Sequence, residues 1–118
     1  MEARRELGDR GEALAERFFV DRGAEILARN WHCRFGEIDL LVRLGEILHV
    51  IEVKTRAASG IQLPNEGISS KKRERLARAF EVWCNEREWR ADRVLHQFDG
   101  FFVWNEGGKW LTDWVEGI

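Results

Sequence analysis

Cysteine, proline and long apolar runs are all scarce in this sequence, and each shortage excludes something. There are two cysteines, Cys33 and Cys84, in unlike surroundings and with no CxxC or paired Cys/His spacing. A disulfide framework and a thiolate zinc site are therefore not expected. No stretch approaches the roughly 20 apolar residues that span a bilayer, and the opening Met-Glu-Ala-Arg-Arg-Glu has no apolar segment of the secretory kind. The expectation is a cytoplasmic chain with reduced thiols and no membrane partner. The one proline, Pro64, sits with Gly60, Asn65 and Gly67 in residues 57–67, which read as a mobile loop of the sort that flanks sites. An excess of positive charge is also missing: 19 Lys and Arg stand against 21 Asp and Glu, a formal charge of -2. Overall composition does not announce nucleic-acid binding, so such a role has to rest on a local patch.

What is present suits one domain over residues 1–118. With 118 residues, 44% hydrophobic and 34% charged, the chain can bury a core without staples and is too apolar for disorder. Residues 7–22 read as a helix, because Leu7, Gly11, Leu14, Ala15 and Phe18 recur at helical spacing and Gly23 can end it. Glu12 falls on the edge of that stripe. Residues 25–33 look extended, and 36–43 alternate, with Ile38, Leu40 and Val42 on one face and Glu37, Asp39 and Leu41 on the other. After a Leu44-Gly45 turn, residues 46–56 form a second alternating strand. Residues 70–86 are an amphipathic helix with Leu76, Ala77, Phe80, Trp83 and Cys84 inward and Lys71, Lys72, Arg75 and Arg78 mostly outward. Residues 94–104 and 110–115 close the chain as two strands. The order α, β, β, β, α, β, β implies an α/β architecture, a mixed five-stranded sheet flanked by helices.

The chemistry is carried by charges on a hairpin face that should be half buried. If Leu44 and Gly45 form the loop, Arg43 pairs with Glu46, and Asp39 lies opposite Val50 and diagonal to Glu52. Diagonal neighbours are about 7 to 8 Å apart at the backbone, near enough for two carboxylates to lean onto one divalent cation. Lys54 follows on the same face. Such a set suits phosphodiester hydrolysis, in which Mg²⁺ acidifies a bound water and neutralises phosphate charge while a fixed lysine orients the attacking group. It needs hard oxygen ligands and no imidazole, so the scattered His32, His49 and His96 are not missed.

Asp39 followed by Glu52-Val53-Lys54 resembles the D-x(n)-ExK signature of the PD-(D/E)XK nucleases. More specifically, Gly11-Glu12, Asn30, Gly36-Glu-Ile-Asp-Leu-Leu41 and Ile51-Glu-Val-Lys-Thr-Arg56 resemble the YraN family, small bacterial proteins related in fold to archaeal Holliday junction resolvases. Lys72 in its Lys-xx-Arg-Leu setting and Phe98-Asp99 extend the likeness more weakly. The resemblance implies a restriction-endonuclease-like fold. It also implies Mg²⁺ or Mn²⁺ held by Asp39, Glu52 and the main-chain carbonyl of Val53, with Lys54 assisting the attacking water and Glu12 approaching from the first helix. Ile38 stands where the superfamily's name has proline.

Each signal has a plainer reading beside it. A lone Glu52 and Lys54 would be a solvated pair, and it is Asp39 on the partner strand that favours a site. Glu12 is open between an active-site residue and an exposed helical glutamate. Glu37 is secondary: facing Glu52 across the hairpin, it either adjoins the metal shell or orients Arg34 or Arg56. Lys71, Lys72 and Arg75, with Arg56 and Arg34, are the expected contacts to nucleic acid, DNA in the first instance, although charge runs on helices are often only solvated faces. Trp104, Trp110 and Trp114 would share one side of regular strands and offer a face for homodimerisation. The function expected is a metal-dependent endonuclease acting on branched or otherwise structured DNA. The alternative is a catalytically weak or inactive module on the same fold that binds nucleic acid or a protein partner.

Overall fold

The computed structural model describes residues 2–56 and 68–118, with side chains from residue 6 onward; the loop expected at 57–67 lies outside the described residues. In chain order the elements are α1 (Glu2–Asp21), β1 (Glu25–Cys33), β2 (Gly36–Leu44), β3 (Ile47–Arg56), α2 (Ser70–Glu86), a 3₁₀ turn (Ala91–Arg93), β4 (His96–Glu106) and β5 (Lys109–Val115). The strands form one mixed sheet in the order β1-β2-β3-β4-β5. Every neighbouring pair is antiparallel except β3 and β4, whose parallel pairing requires the crossover that contains α2.

The two described helices cover opposite faces. Val50 and Ile51 are successive strand residues, so their side chains point to opposite sides. Val50 packs with Leu41, Leu48 and the Leu76, Phe80 and Trp83 stripe of α2. Ile51 packs with Leu40, Val42, Phe101, Val103 and the Ala15 and Phe19 stripe of α1. The Ser69 hydroxyl caps α2 by accepting from the Lys72 N–H at 3.1 Å, as a serine at a helix N-cap should. In α2 the buried small residue is Ala79, with Ala77 only half covered.

Three details depart from the sequence reading. The β2–β3 loop is Gly45-Glu46, with Gly45 at φ 66°, so Leu44 pairs with Ile47 and Leu40 with Ile51. Continued one step, that register sets Asp39 opposite Glu52 where a diagonal was expected. It also takes Glu37 out from opposite Glu52 and pairs it with His32 of β1. The second departure is in the alternation of β2. Ile38 belongs to the α2-side core, whereas Leu40 belongs to the α1-side core, although residues two apart should share a face. The break falls between the pairs Arg29↔Leu40 and Trp31↔Ile38. The residues it spans are Asn30, at φ 44°, and Asp39. Asparagine tolerates this left-handed backbone better than other non-glycine residues.

The third departure concerns the tryptophans. Trp110 pairs with Asn105 and Trp114 with Phe101, while Trp104 pairs with Leu111. Trp110 and Trp114 therefore share a face and pack on the α1-side core, and Trp104 points the other way. Regular spacing within each strand was right, but the cross-strand register separates Trp104 from the other two.

Candidate active site

Gly11 decides how close α1 can approach the sheet. It is buried, and a Cβ built on it would overlap the Thr55 hydroxyl of β3. Only a residue without a side chain permits this approach. The next residue, Glu12, is thereby set in a cleft of about 220 Å³ whose walls include Asp9, Glu16, Asn30 and Asp39. Burial raises the Glu12 pKa; a hydrogen bond from the Asn30 side chain opposes this, and the charges of Asp9, Glu37 and Glu52 add to the rise. Glu16, beside it, is bound bidentately by Arg29 at 2.7 and 2.8 Å and titrates lower for that reason.

Asp39 stands where the β2–β3 ladder ends. Its carboxylate accepts the Val53 N–H at 2.8 Å, replacing the ladder bond that the strand break removes. The side chain is buried, and its pKa is pushed up to about 7. Burial contributes most, repulsion from Glu52 comes next, the Val53 bond works against both, and Glu12 and Glu37 add smaller repulsions. Glu52, only 6% exposed, shares the face of Leu48 and Val50, where Lys72 Nζ of α2 lies 2.6 Å from Oε2. Glu52, Glu37, Lys72 and Arg75 line a cleft of about 590 Å³ between β2, β3 and α2. Asp39 and Glu52 are thus electrostatic neighbours, yet each opens into a different cleft, one under α1 and one under α2.

The remaining candidates scatter around this centre. Lys54 and Arg56 are half-buried farther along β3, and Arg56 Nη1 donates to the Thr55 carbonyl at 3.0 Å. Glu37 is exposed and paired with His32 Nδ1 at 3.0 Å. Arg34, Lys71 and Arg75 converge on a second cleft of about 450 Å³ beside the Glu52 cleft.

The donors that meet here are oxygens, the chemistry Mg²⁺ and Mn²⁺ prefer. Among the described residues, no three His, Cys, Asp or Glu gather closely enough to hold an ion by themselves. The two central acids and the Val53 carbonyl could supply part of a shell whose remainder is water or phosphate, as Mg²⁺ sites usually are. A cation there would relieve the repulsion that raises Asp39.

Sequence reasoning missed two features. One is a buried polar knot. The Asp99 carboxylate, fully buried, accepts from Trp114 Nε1 (2.9 Å), the Gly117 N–H (3.0 Å) and Gln97 Nε2 (2.9 Å), and lies 2.7 Å from His49 Nδ1. This ties the C-terminal segment to β3 and β4. Asp99 was noticed only as part of a motif, because nothing local announces partners so distant in the chain. The other is the role of Asn30, which the sequence names only as part of the YraN likeness: it bridges Glu12 and the strand break, and the signal for this was the αL tolerance of asparagine within an extended run.

The residues around which these clefts are built fall inside one family match. Residues 11–102, from Gly11 through Phe102, match the model of "Uncharacterised protein family UPF0102". A UPF0102 protein of Nocardia farcinica is 45% identical over 82 residues, 70% of this chain and 65% of that protein. One of a Nocardioides species is 43% identical over 112 residues, 95% of this chain and 90% of that protein. One of Clavibacter michiganensis is 36% identical over 109 residues, 92% of each chain. The likeness to YraN proteins carried by Gly11-Glu12, Asp39 and Glu52-Val53-Lys54 is in accord with these matches, and the chain belongs to the UPF0102 family.

Proposed function

We propose that this chain is a Mg²⁺- or Mn²⁺-dependent endonuclease of restriction-endonuclease-like fold that hydrolyses DNA phosphodiester bonds, with branched or otherwise structured DNA as substrate. The observation that carries the reading is the state of Asp39: a buried carboxylate, fixed by the Val53 N–H and repelled by Glu52, at the point where two central strands part. Buried like charges are costly unless a cation offsets them, and active sites are where such costs are retained.

On this reading Asp39, Glu52 and the Val53 carbonyl hold the ion. When bound, it supplies Lewis acidity, acidifying a water and neutralising charge on the phosphate. Lys54 orients the attacking water. Glu12, whose pKa burial raises against the hydrogen bond from Asn30, faces the α1 side of the same centre and is the candidate to exchange a proton there. Lys72, already on Glu52, and the neighbouring Arg75, Lys71 and Arg34 hold the DNA backbone, with Arg56 at the end of β3 as a further contact. Five cations, Arg34, Lys71, Lys72, Arg75 and Arg78, against three carboxylates, Glu37, Glu52 and Glu74, along the two α2-side clefts give the local positive patch that a net charge of -2 conceals.

A second reading, a module that binds nucleic acid or a protein partner and cuts little or nothing, is favoured by one observation. Glu52 is already neutralised by Lys72, and its cleft is not the cleft of Asp39. Cleavage of labelled linear, flapped and four-way DNA with and without Mn²⁺ separates the two: the endonuclease cuts only with metal, and the module binds without cutting. A homodimer, which would let a chain of 118 residues span a junction, is part of the first reading and is tested by sedimentation.

A further inference from the structure

Of the described aromatic rings, Phe35 has surroundings that neither core explains. It is one of the two residues, Arg34 and Phe35, that turn the chain between the paired Cys33 and Gly36. The turn lies against α2: a Cβ on Gly36 would touch the Arg75 Cβ and carbonyl at 3.5 Å. Phe35 is half-buried and belongs to neither hydrophobic cluster. Its ring is flanked by guanidinium groups, Arg34 at 4.8 Å and Arg78 at 5.8 Å from the centroid. It also lines both α2-side clefts, one reaching Glu52 and Lys72, the other edged by Lys71, Arg75 and Arg78.

An apolar ring at a turn is usually drawn into a core. Here it is held between two arginines in a groove edged by cations, side chains of the type that bind phosphate. A positive groove that tracks phosphates, with an aromatic face set into it, is what single strands require. A base inside a duplex has both faces covered by its neighbours, so it cannot use such a ring; an unpaired base can. The groove's volume, about 450 Å³ beside Phe35, is within the roughly 300–1,000 Å³ of sites that hold small organic groups.

We propose that Phe35 is a base-stacking residue and that the DNA taken by this site carries an unpaired segment next to a duplex, the unpaired base lying on Phe35 between Arg34 and Arg78. This rests on the nuclease reading for where the strand leads, namely to Glu52, but not for its own test, which is made without metal. Tailed duplexes, with a thymine tail at either end polarity, are compared with the blunt duplex by fluorescence anisotropy in EDTA. A 2-aminopurine placed in the tail next to the junction reports stacking.

Wild type binds a tailed duplex more tightly than the blunt one and changes the 2-aminopurine emission. Phe35→Ala and Phe35→Leu each weaken tailed binding about tenfold while leaving blunt binding within about twofold, and Phe35→Trp retains the wild-type pattern. Phe35→Leu keeps apolar volume at the turn, so its loss together with retention by Phe35→Trp separates stacking from packing. Equal losses on tailed and blunt DNA, an unchanged 2-aminopurine signal, or preference for an RNA tail over the DNA tail would overturn the proposal. Phe35-dependent stacking without any Mn²⁺-dependent cleavage would uphold it and contradict the endonuclease reading instead.

Discussion

Lys72 Nζ sits 2.6 Å from Glu52 Oε2, its stem half-exposed and the carboxylate buried. The cation that neutralises Glu52 in the free protein is thus also one of the cations facing the α2-side cleft. Lys72→Ala removes both roles. We expect weaker binding of every DNA tested, and a slope of log affinity against log salt shallower by about 1, because one phosphate contact is lost. Salt titration of binding checks this; an unchanged slope would take Lys72 out of the interface.

Asp39 gives the pH prediction. Its pKa in the fold, about 7, is above the ordinary aspartate value of 3.8, so folding favours the protonated acid. That stability is present in full below about pH 4 and is lost as pH rises through about 7. Asp39→Asn keeps an oxygen for the Val53 N–H and removes the charge. In metal-free buffer the variant should melt several degrees above wild type at pH 8 and close to it at pH 4, since each pKa unit is worth about 1.4 kcal/mol. Thermal melts across that range test it. Parallel wild-type and variant curves would mean that Asp39 bears no charge penalty.

The closeness of α1 to β3 is tested at Gly11. Gly11→Ala places a methyl on the Thr55 hydroxyl, so despite alanine's better helix propensity it should destabilise by about 1–3 kcal/mol. It should lower cleavage further by moving Glu12 away from Asn30. Thr55→Ala in the same chain should restore part of the stability, and urea unfolding of the two single variants and the double variant measures the coupling. Additive effects would show that the two residues do not touch.

The Asp99 knot has no place in the proposed chemistry, and its removal should be read in stability. Asp99→Ala leaves Trp114 Nε1, the Gly117 N–H and His49 without their shared acceptor. A loss of about 3–5 kcal/mol is expected, in the range for breaking a buried charged network. Urea unfolding followed by tryptophan fluorescence measures it, and a loss under about 1 kcal/mol would mean that water replaces the carboxylate.

Much of this arrangement is legible in the sequence. Period-3.6 patterns located the described helices and period-2 alternation located β2 and β3, because amphipathic elements must declare the face they bury; β1 was legible as an extended run, and β4 and β5 from the turn residues between them. The turn was placed one residue early. Gly45 takes the first loop position, where positive φ is needed, while the sequence reading set it second. Moving the turn by one residue shifts the pairing sum by two and preserves the faces of a regular ladder, so Asp39 and Glu52 are read as diagonal neighbours on one face; they are directly across from one another in the continued register, but the strand break leaves Asp39 opening under α1 and Glu52 under α2. The break in β2 was not legible. Ile38, Leu40 and Val42 alternate perfectly in sequence, and only packing reveals that Ile38 joins α2 while the other two join α1. Phe35 escaped notice because a single aromatic residue at a turn has no period.

The central claim is that the acids at the parting of β2 and β3 hold a catalytic metal, and the most direct measurement is cleavage of end-labelled flapped and four-way DNA under Mn²⁺ titration. The account predicts metal-dependent product from wild type, a loss of at least about 100-fold in Lys54→Ala and Asp39→Ala, and a Mn²⁺-induced rise in melting temperature that Asp39→Ala lacks. DNA bound with full affinity but left intact at every Mn²⁺ concentration, with no metal effect on melting, would contradict it.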